Sequence, residues 1–306
     1  MRDPNPAYHI PVLLSEAMDG LNIRPSGIFV DCTFGGGGHS AEILANLNSE
    51  GRLIAFDHDA DARSNMISDD RFIFIPHNFR HIGRFLRLHG ITAVDGILAD
   101  LGVSSHQFDE PTRGFSTRSE DASLDMRMDK RQSLTAEMVL NTYGEQKLQE
   151  IFSMYGEVTN AKTLARAIVT IRSKSAFRTV RGFKQAIADL VKGNPNRYFA
   201  QVFQALRIEV NEETGALREM LSQVPDLLKS GGRIAIISFH SLEDRIVKQF
   251  FKSGRFQSND EQDPFGSSPS LSPFRTITKK PITPSEQEIN QNPRARSAKL
   301  RIAEKI

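Results

Sequence analysis

The sequence predicts an α/β fold in which a discontinuous, mostly parallel-sheet domain is interrupted by an all-helical subdomain. Three observations point there. Through the first hundred residues, short apolar, β-branched runs alternate with helical segments, the pattern of parallel β-α-β units. From about residue 108 to 206 that rhythm stops and only helical periods occur. It resumes with a long helix ending near Lys229 and the strand Arg233-Ile-Ala-Ile-Ile-Ser-Phe239. The expected parts are therefore residues 1–108 and 208–306 for the sheet domain and 109–207 for the insertion.

The first element is a short helix over residues 9–21, capped by Ser15 or a neighbour and burying Val12, Leu13, Ala17 and Leu21. His9 either touches a ligand or serves the structure. The organising stretch follows, Ile28-Phe-Val-Asp-Cys-Thr-Phe-Gly-Gly-Gly-Gly-His-Ser40: a strand, four glycines, and a helix over residues 41–47. Glycines let a ligand approach the main chain, and the helix start offers free N–H groups with partial positive charge. The second strand, Arg52-Leu-Ile-Ala-Phe-Asp57, ends in a carboxylate about 20 residues beyond the loop, where a ribose diol would be gripped. A polar helix over 58–68, a strand Arg71-Phe-Ile-Phe-Ile-Pro76, a loop at 77–79 and a helix over 82–89 come next. The fourth strand, Val94-Asp-Gly-Ile-Leu-Ala-Asp100, again ends in an acid.

In the insertion, helices are expected over 134–141, 145–154, 162–171 and 181–191 and from about Tyr198, punctuated by Gly156, Gly182, Gly193 and Pro195. After the turn Ser230-Gly-Gly232 and the strand to Phe239, residues 241–251 read as helix and 254–273 as a loop rich in Ser, Pro, Asp and Gln. Near the end, Ala298, Leu300 and Ile302 alternate with Lys299 and Arg301, as in an edge strand.

Composition narrows the class. The chain has 306 residues, 39% hydrophobic and 25% charged, which suits a globular protein. No apolar run reaches the ~18 residues of a membrane span, and the opening Met1-Arg-Asp-Pro-Asn-Pro6 lacks the apolar core of a signal peptide, so no membrane role and a cytoplasmic location are expected. A single cysteine, Cys32, excludes an internal disulfide framework and a multi-cysteine zinc site. No acid or histidine cluster has obvious metal-ligand spacing, so no metal-site residue is assigned and metal dependence stays open. The net charge is only +2, but residues 157–200 carry nine basic side chains against Glu157 and Asp189, a local excess of +7. Such a segment attracts phosphates or forms a solvated helix face.

Three ligands use a strand, a glycine loop and a ribose-binding acid: a nicotinamide dinucleotide, a nucleoside triphosphate and S-adenosylmethionine. Gly35-x-Gly37-x-x-Ser40 replaces the third dinucleotide glycine with serine, and the Gly-Lys-Ser or Gly-Lys-Thr of a P-loop is missing. Asp31, Gly35, Gly37 and Asp57 fit S-adenosylmethionine, which has no phosphate and needs acids at the first two strand ends.

Seven segments then make a specific resemblance. They are Asp31-Cys-Thr-Phe-Gly-Gly-Gly-Gly-His-Ser40, Asp100-Leu-Gly-Val-Ser-Ser-His-Gln-Phe-Asp109, Arg113-Gly-Phe-Ser116, Leu124-Asp-Met-Arg-Met-Asp129, Gln204-Ala-Leu-Arg-Ile-Glu-Val-Asn211, Ile237-Ser-Phe-His-Ser-Leu-Glu-Asp-Arg245 and Asn292-Pro-Arg-Ala-Arg-Ser297. In this order, and over essentially the whole chain, the sequence resembles the bacterial ribosomal RNA small-subunit methyltransferase H family. The resemblance implies a Rossmann-like, S-adenosylmethionine-dependent methyltransferase core with an all-helical insertion after the fourth strand. It implies methylation of the N4 amine of a decoding-centre cytidine in 16S rRNA, within the small ribosomal subunit or its precursor. Carried over by motif, the cofactor contacts are Gly37, Gly38 and His39 at the loop, Asp57 on the ribose, Phe79 against the adenine, and Asp100 and Gln107 beyond the fourth strand. Cys32 replaces the family's usual glycine, Gly36 occupies a variable position, and His106 stands where proline is common. Monomer and homodimer both remain open.

Methyl transfer from a sulfonium is an in-line displacement, so positioning supplies much of the rate. The lone pair of a cytosine N4 amine is delocalised into the ring, and acceptors aimed at its protons favour the rehybridised nitrogen of the transition state. Asp100 and the carbonyls of Leu101 and Gly102 are the candidate acceptors, with cofactor binding alone as the other role for Asp100. Methylation at C5 would need a thiolate, and Cys32 precedes the glycine loop, where a small packed residue is expected. His240 either reaches substrate or is satisfied locally. Arg113, Arg127, Arg294 and Arg296 are candidate RNA contacts, with ordinary salt bridging as the alternative. Met126 and Met128 read as packing residues. A non-catalytic RNA-binding assembly factor and a DNA amino-methyltransferase are the competing functions. The latter would carry Asn-Pro-Pro-Tyr or Asp-Pro-Pro-Tyr where Asp100-Leu-Gly-Val103 stands.

Overall fold

The structure is a computed structural model that describes residues 11–256 and 272–306; His9 and most of the 254–273 loop lie outside them. In chain order the first elements are α1 (Leu14–Leu21), β1 (Ile28–Asp31), α2 (Gly38–Ala45), β2 (Arg52–Phe56), β3 (Phe72–Ile75), α3 (Ile82–Leu88) and β4 (Val94–Asp100). Six helices follow without a named strand among the described residues: α4 (Ser105–Asp109), α5 (Ala136–Thr142), α6 (Glu145–Met154), α7 (Ala161–Arg172), α8 (Val180–Ala186) and α9 (Pro195–Asn211). The chain closes with α10 (Glu213–Leu227), β5 (Leu228–Ser238), α11 (Ser241–Ser253), β6 (Phe274–Thr276), α12 (Glu286–Gln291) and β7 (Lys299–Lys305).

The chain divides into two compact units, one of Met1–Gly102 with Thr214–Ile306 and the other of Val103–Glu213. The boundaries thus fall just outside residues 108/109 and 207/208. The first unit is a seven-stranded sheet in the order β3-β2-β1-β4-β5-β7-β6. The pairs from β3 to β5 are parallel, and β7 runs antiparallel between β5 and β6. Period-2 alternation distributes its strands over two buried faces. Val30, Ile54, Ile97, Ile234 and Ile236 meet α3, α10 and α11 on one face. Phe29, Leu53, Leu98, Ala235 and Ile237 meet α1 and α2 on the other.

The second unit has its own core, in which Leu140, Phe152, Leu164, Ile168, Phe183 and Leu206 are fully buried. Its loops are fastened from the side. The Asn211 carboxamide accepts from Met128 N at 2.7 Å and donates to Met126 O at 2.8 Å, holding Met126 at φ 60. Both methionines are buried, as packing residues should be.

Several expectations need correction. Ser15 does not cap α1; Leu13 precedes the helix in the left-handed region, and its N–H donates to Glu288 Oε1 at 2.7 Å. The polar helix over 58–68 is only a 3-10 segment, Ala60–Asn65, because Asp59 and Ser64 turn back onto the local backbone. β5 starts at Leu228. Val94 pairs with Leu228 and Gly96 with Arg233, so the intervening Ser230-Gly-Gly232 bulges out of one continuous strand. β7 is no edge strand, since β6 covers it, and Arg301 is buried against Asp244 at 2.6 Å.

Candidate functional site

The sheet order reverses at β1, whose neighbours are β2 and β4. In an open parallel sheet the crevice beyond the strand ends at that point accepts a ligand. Asp31 ends β1, Asp57 follows β2 and Asp100 ends β4, so three acids stand at the ends of neighbouring strands.

The glycine turn joins β1 to α2. Gly35 and Gly37 adopt φ 51 and 79, values that a side chain would strain. Gly37 N donates to Phe34 O at 2.7 Å, closing the turn, and Gly37 O accepts from Ala41 N at 2.8 Å, starting the helix. The helix thus begins at Gly38, earlier than expected, and Gly38 and His39 supply its first amides. Asp31 is 1% exposed: Oδ2 accepts from Ser40 Oγ at 2.7 Å, and Oδ1 accepts from Thr33 N at 3.0 Å.

His39 is buried, and Nε2 lies 3.1 Å from Val12 O, so this nitrogen carries the proton. Burial lowers its pKa, leaving Nδ1 a lone pair at 3.8 Å from Asp100 Oδ2, too far for a hydrogen bond. Asp100 Oδ1 is buried without a hydrogen-bond partner. Burial first, then the Asp31 and Glu243 charges, push the Asp100 carboxyl well above the usual range. A cation beside Asp100 would reverse that push. Leu101 is buried, and Gly102 turns at φ 98 at the end of the unit.

Asp57 Oδ2 accepts from Gly35 N at 2.8 Å, which ties the second acid to the glycine turn. Phe79 packs against the sheet's hydrophobic core, and Asn78 beside it bonds His58 Nδ1 at 2.9 Å. The structure therefore brings Gly37, Gly38, His39, Asp57 and Asp100 together.

A family model described as the MraW methylase family matches residues 6–306. The chain belongs to this family. The protein named ribosomal RNA small subunit methyltransferase H in Flavobacterium johnsoniae is 55% identical over 300 residues, covering 98% of each chain. The one of that name in Bacteroides thetaiotaomicron is 52% identical over 299 residues, covering 97% of each. The chain is an S-adenosylmethionine-dependent methyltransferase with a Rossmann-like core. The crevice suits that cofactor: residues 31–40 contain no lysine or arginine for a phosphate, whereas carboxylates such as Asp57 and Asp100, with its orphaned oxygen, accept from ammonium and ribose hydroxyls and offer a counter-charge to a sulfonium.

Gln107 belongs to the helical unit, where it is buried and completes a capping box with Ser104, its Oε1 accepting from Ser104 N at 3.0 Å. Ser104-x-x-Gln107 carries that signal in the sequence. Arg113 is buried and donates to the carbonyls of Arg127 and Met128 at 2.9 Å each. Arg127 grips Asp125 at 2.7 and 2.9 Å. Arg294 and Arg296 are exposed on the 3-10 segment Pro293–Ser297. His240 Nδ1 caps α11 by accepting from Glu243 N at 3.4 Å, whereas its buried Nε2, although 3.1 Å from Glu243 Oε1, makes no hydrogen bond, so the ring is satisfied on one side only. Among the described residues the chain has no helix long and apolar enough to cross a membrane. Thr33 and Ser40 were not expected at the site. Their only sequence signal is that their hydroxyls flank a strand-ending acid.

Proposed function

We propose that this enzyme methylates the N4 amine of a decoding-centre cytidine in 16S rRNA, within the small ribosomal subunit or its precursor. The observation that carries the reading is Asp100, an acid on the last residue of β4 with one buried oxygen lacking a partner, beside the β1 glycine turn. The relatives' name, with its small-subunit rRNA, supports the substrate class.

When bound, S-adenosylmethionine supplies an electrophilic methyl. The protein's own residues then do three things. Gly35 and Gly37 keep side chains away from the loop, while Gly38 and His39 present main-chain amides. Asp57 accepts from the ribose hydroxyls. Asp100 accepts a proton of the cytosine amine through a hydrogen bond, which favours the nitrogen lone pair turning toward the methyl and counters the charge developing on it. The carbonyls of Leu101 and Gly102 serve the second amine proton.

The helical unit faces the RNA in this proposal. Lys162, Lys174, Arg178, Lys192 and Arg197 are exposed, and none has an acidic partner within 4 Å among the described residues. By contrast, Arg166 and Arg181 pair with Glu145 and Glu120. Arg294 and Arg296 are proposed to add phosphate contacts. Arg113 and Arg127 would contribute by holding the loop at 124–129 in shape. Mass spectrometry of small-subunit RNA from cells with and without this protein tests the reading: one methyl on a cytidine should disappear with the protein. An unchanged modification pattern overturns it.

A further inference from the structure

We propose that Thr33 is a positioning residue for methyl transfer, holding Asp100 at its working distance from the glycine turn. The inference rests on the reading of Asp100 as the amine's acceptor. Strands β1 and β4 pair through Phe29↔Gly96, Val30↔Ile97 and Asp31↔Leu98, and Cys32 N continues the ladder to Leu98 O at 2.8 Å. In a parallel ladder the next rung takes Asp100 N to Cys32 O. Beyond Cys32, however, the β1 chain leans toward β2, where Phe34 N donates to Phe56 O at 2.9 Å. On its other side β4 stays with β5, through Leu101 N to Ile237 O at 2.9 Å. The two chains therefore part at Asp100, which opens the crevice and takes the main-chain partner away from its amide.

The Thr33 hydroxyl closes that gap. Asp100 N donates to Thr33 Oγ1 at 2.7 Å, a side chain standing in for the lost rung. Thr33 itself is fixed from below, since its N–H donates to Asp31 Oδ1 at 3.0 Å and its hydroxyl proton points to the same oxygen at 3.4 Å. Asp31 in turn holds Ser40 in the first turn of α2 at 2.7 Å. One chain of hydrogen bonds thus links the helix that presents amides to the cofactor, the end of β1, and the acid that faces the amine. Without the hydroxyl, β4 keeps its β5 rung but loses its register against the glycine turn. Binding groups stay in place while the acceptor shifts relative to the methyl donor, and an offset near 1 Å costs on the order of 10²-fold in rate.

The experiment compares wild type, Thr33→Val, Thr33→Ser and Asp100→Asn, measuring S-adenosylmethionine affinity by calorimetry and kcat and KM on undermethylated small subunits. Thr33→Ala is carried in parallel because it adds no bulk, so a folded protein lacking the hydroxyl is measured in any event. The expected result for the hydroxyl-free variants is a fall in kcat on the order of 10²-fold, with cofactor affinity and KM within about threefold of wild type, because the binding groups are untouched. Thr33→Ser, which restores the acceptor, should recover kcat to within about threefold on the same argument. Wild-type kcat in Thr33→Val, a loss matched by weaker cofactor binding, or an equal loss in Thr33→Ser overturns the proposal. Full activity in Asp100→Asn would instead overturn the reading of Asp100 itself, a result distinct from an inactive Asp100→Asn beside a fully active Thr33→Val.

Discussion

Asp57 Oδ2 accepts the Gly35 amide at 2.8 Å, so the acid after β2 fastens the turn after β1. Its Oδ1 accepts from Asp59 N at 2.8 Å. Burial nevertheless raises the Asp57 carboxyl to about 7, against the lowering effect of those two amides and with help from the Asp59 and Asp31 charges.

That elevation sets a sign. A carboxyl raised in the folded state holds its proton more tightly there, so its stabilising share is complete below the ordinary value of 3.8 and is lost as pH rises through about 7. Asp100, also raised, acts in the same direction. His39, lowered by burial, acts oppositely as pH falls through the usual histidine range. Between about pH 4 and 7 the cofactor-free protein should therefore lose more melting temperature, or gain less, than Asp57→Asn, which cannot ionise at that position. Parallel slopes in scanning calorimetry would remove Asp57 from the account.

Replacement of Asp100 by asparagine separates its two roles. The orphaned Oδ1 is buried and has no protein donor, so removing the charge should leave the fold intact. Turnover should fall on the order of 10²- to 10³-fold, as for the loss of one group that stabilises developing charge. Cofactor affinity, measured by calorimetry on the same sample, should stay within a few-fold. A loss of binding that accounts for the whole loss of rate would leave Asp100 as a cofactor contact only.

Much of this site was legible because strands ending in acids announce themselves. Runs such as Ile28-Phe-Val-Asp31 and Leu98-Ala-Asp100 mark both the element and the end at which it stops. What was hidden depends on register. Thr33 meets Asp100 across 67 residues, and only the parting of β1 from β4 makes its hydroxyl necessary. β6 has three residues, too few to show a period, and with β6 unseen β7 reads as an edge. Arg301 then looks like a solvent-facing side chain, although Asp244 on α11 pairs with it in the interior. In the helical unit Arg113 looks like a phosphate clamp until the carbonyls of Arg127 and Met128 occupy its guanidinium.

Cys32 offers a direct check on reaction class. It is 1% exposed at the end of β1, and burial, then the Asp31 charge, push its thiol well above the ordinary value. Such a thiol is neither an available nucleophile nor a reactive one. Cys32→Ala should keep kcat within a few-fold, and the native protein should resist thiol reagents until it unfolds. Abolished turnover in a folded Cys32→Ala protein would reopen the covalent route.

The helical unit makes the last prediction, through counterions. Each basic side chain that neutralises an RNA phosphate releases condensed cations, so affinity falls with salt in proportion to the number of contacts. Lys162, Lys174, Arg178, Lys192 and Arg197 are exposed and lack acidic partners among the described residues, whereas Lys184 is already engaged by Glu120 and the Thr117 carbonyl. Changing any one of the five to glutamine should lower the slope of log affinity against log salt by about 1. Lys184→Gln should change it less, because its charge is already partly spent within the protein. Filter binding of small-subunit RNA over a salt series reads the slope, and calorimetry with S-adenosylmethionine should show an unchanged cofactor site in every variant. A slope that the five substitutions leave untouched would place the RNA on another surface of the protein.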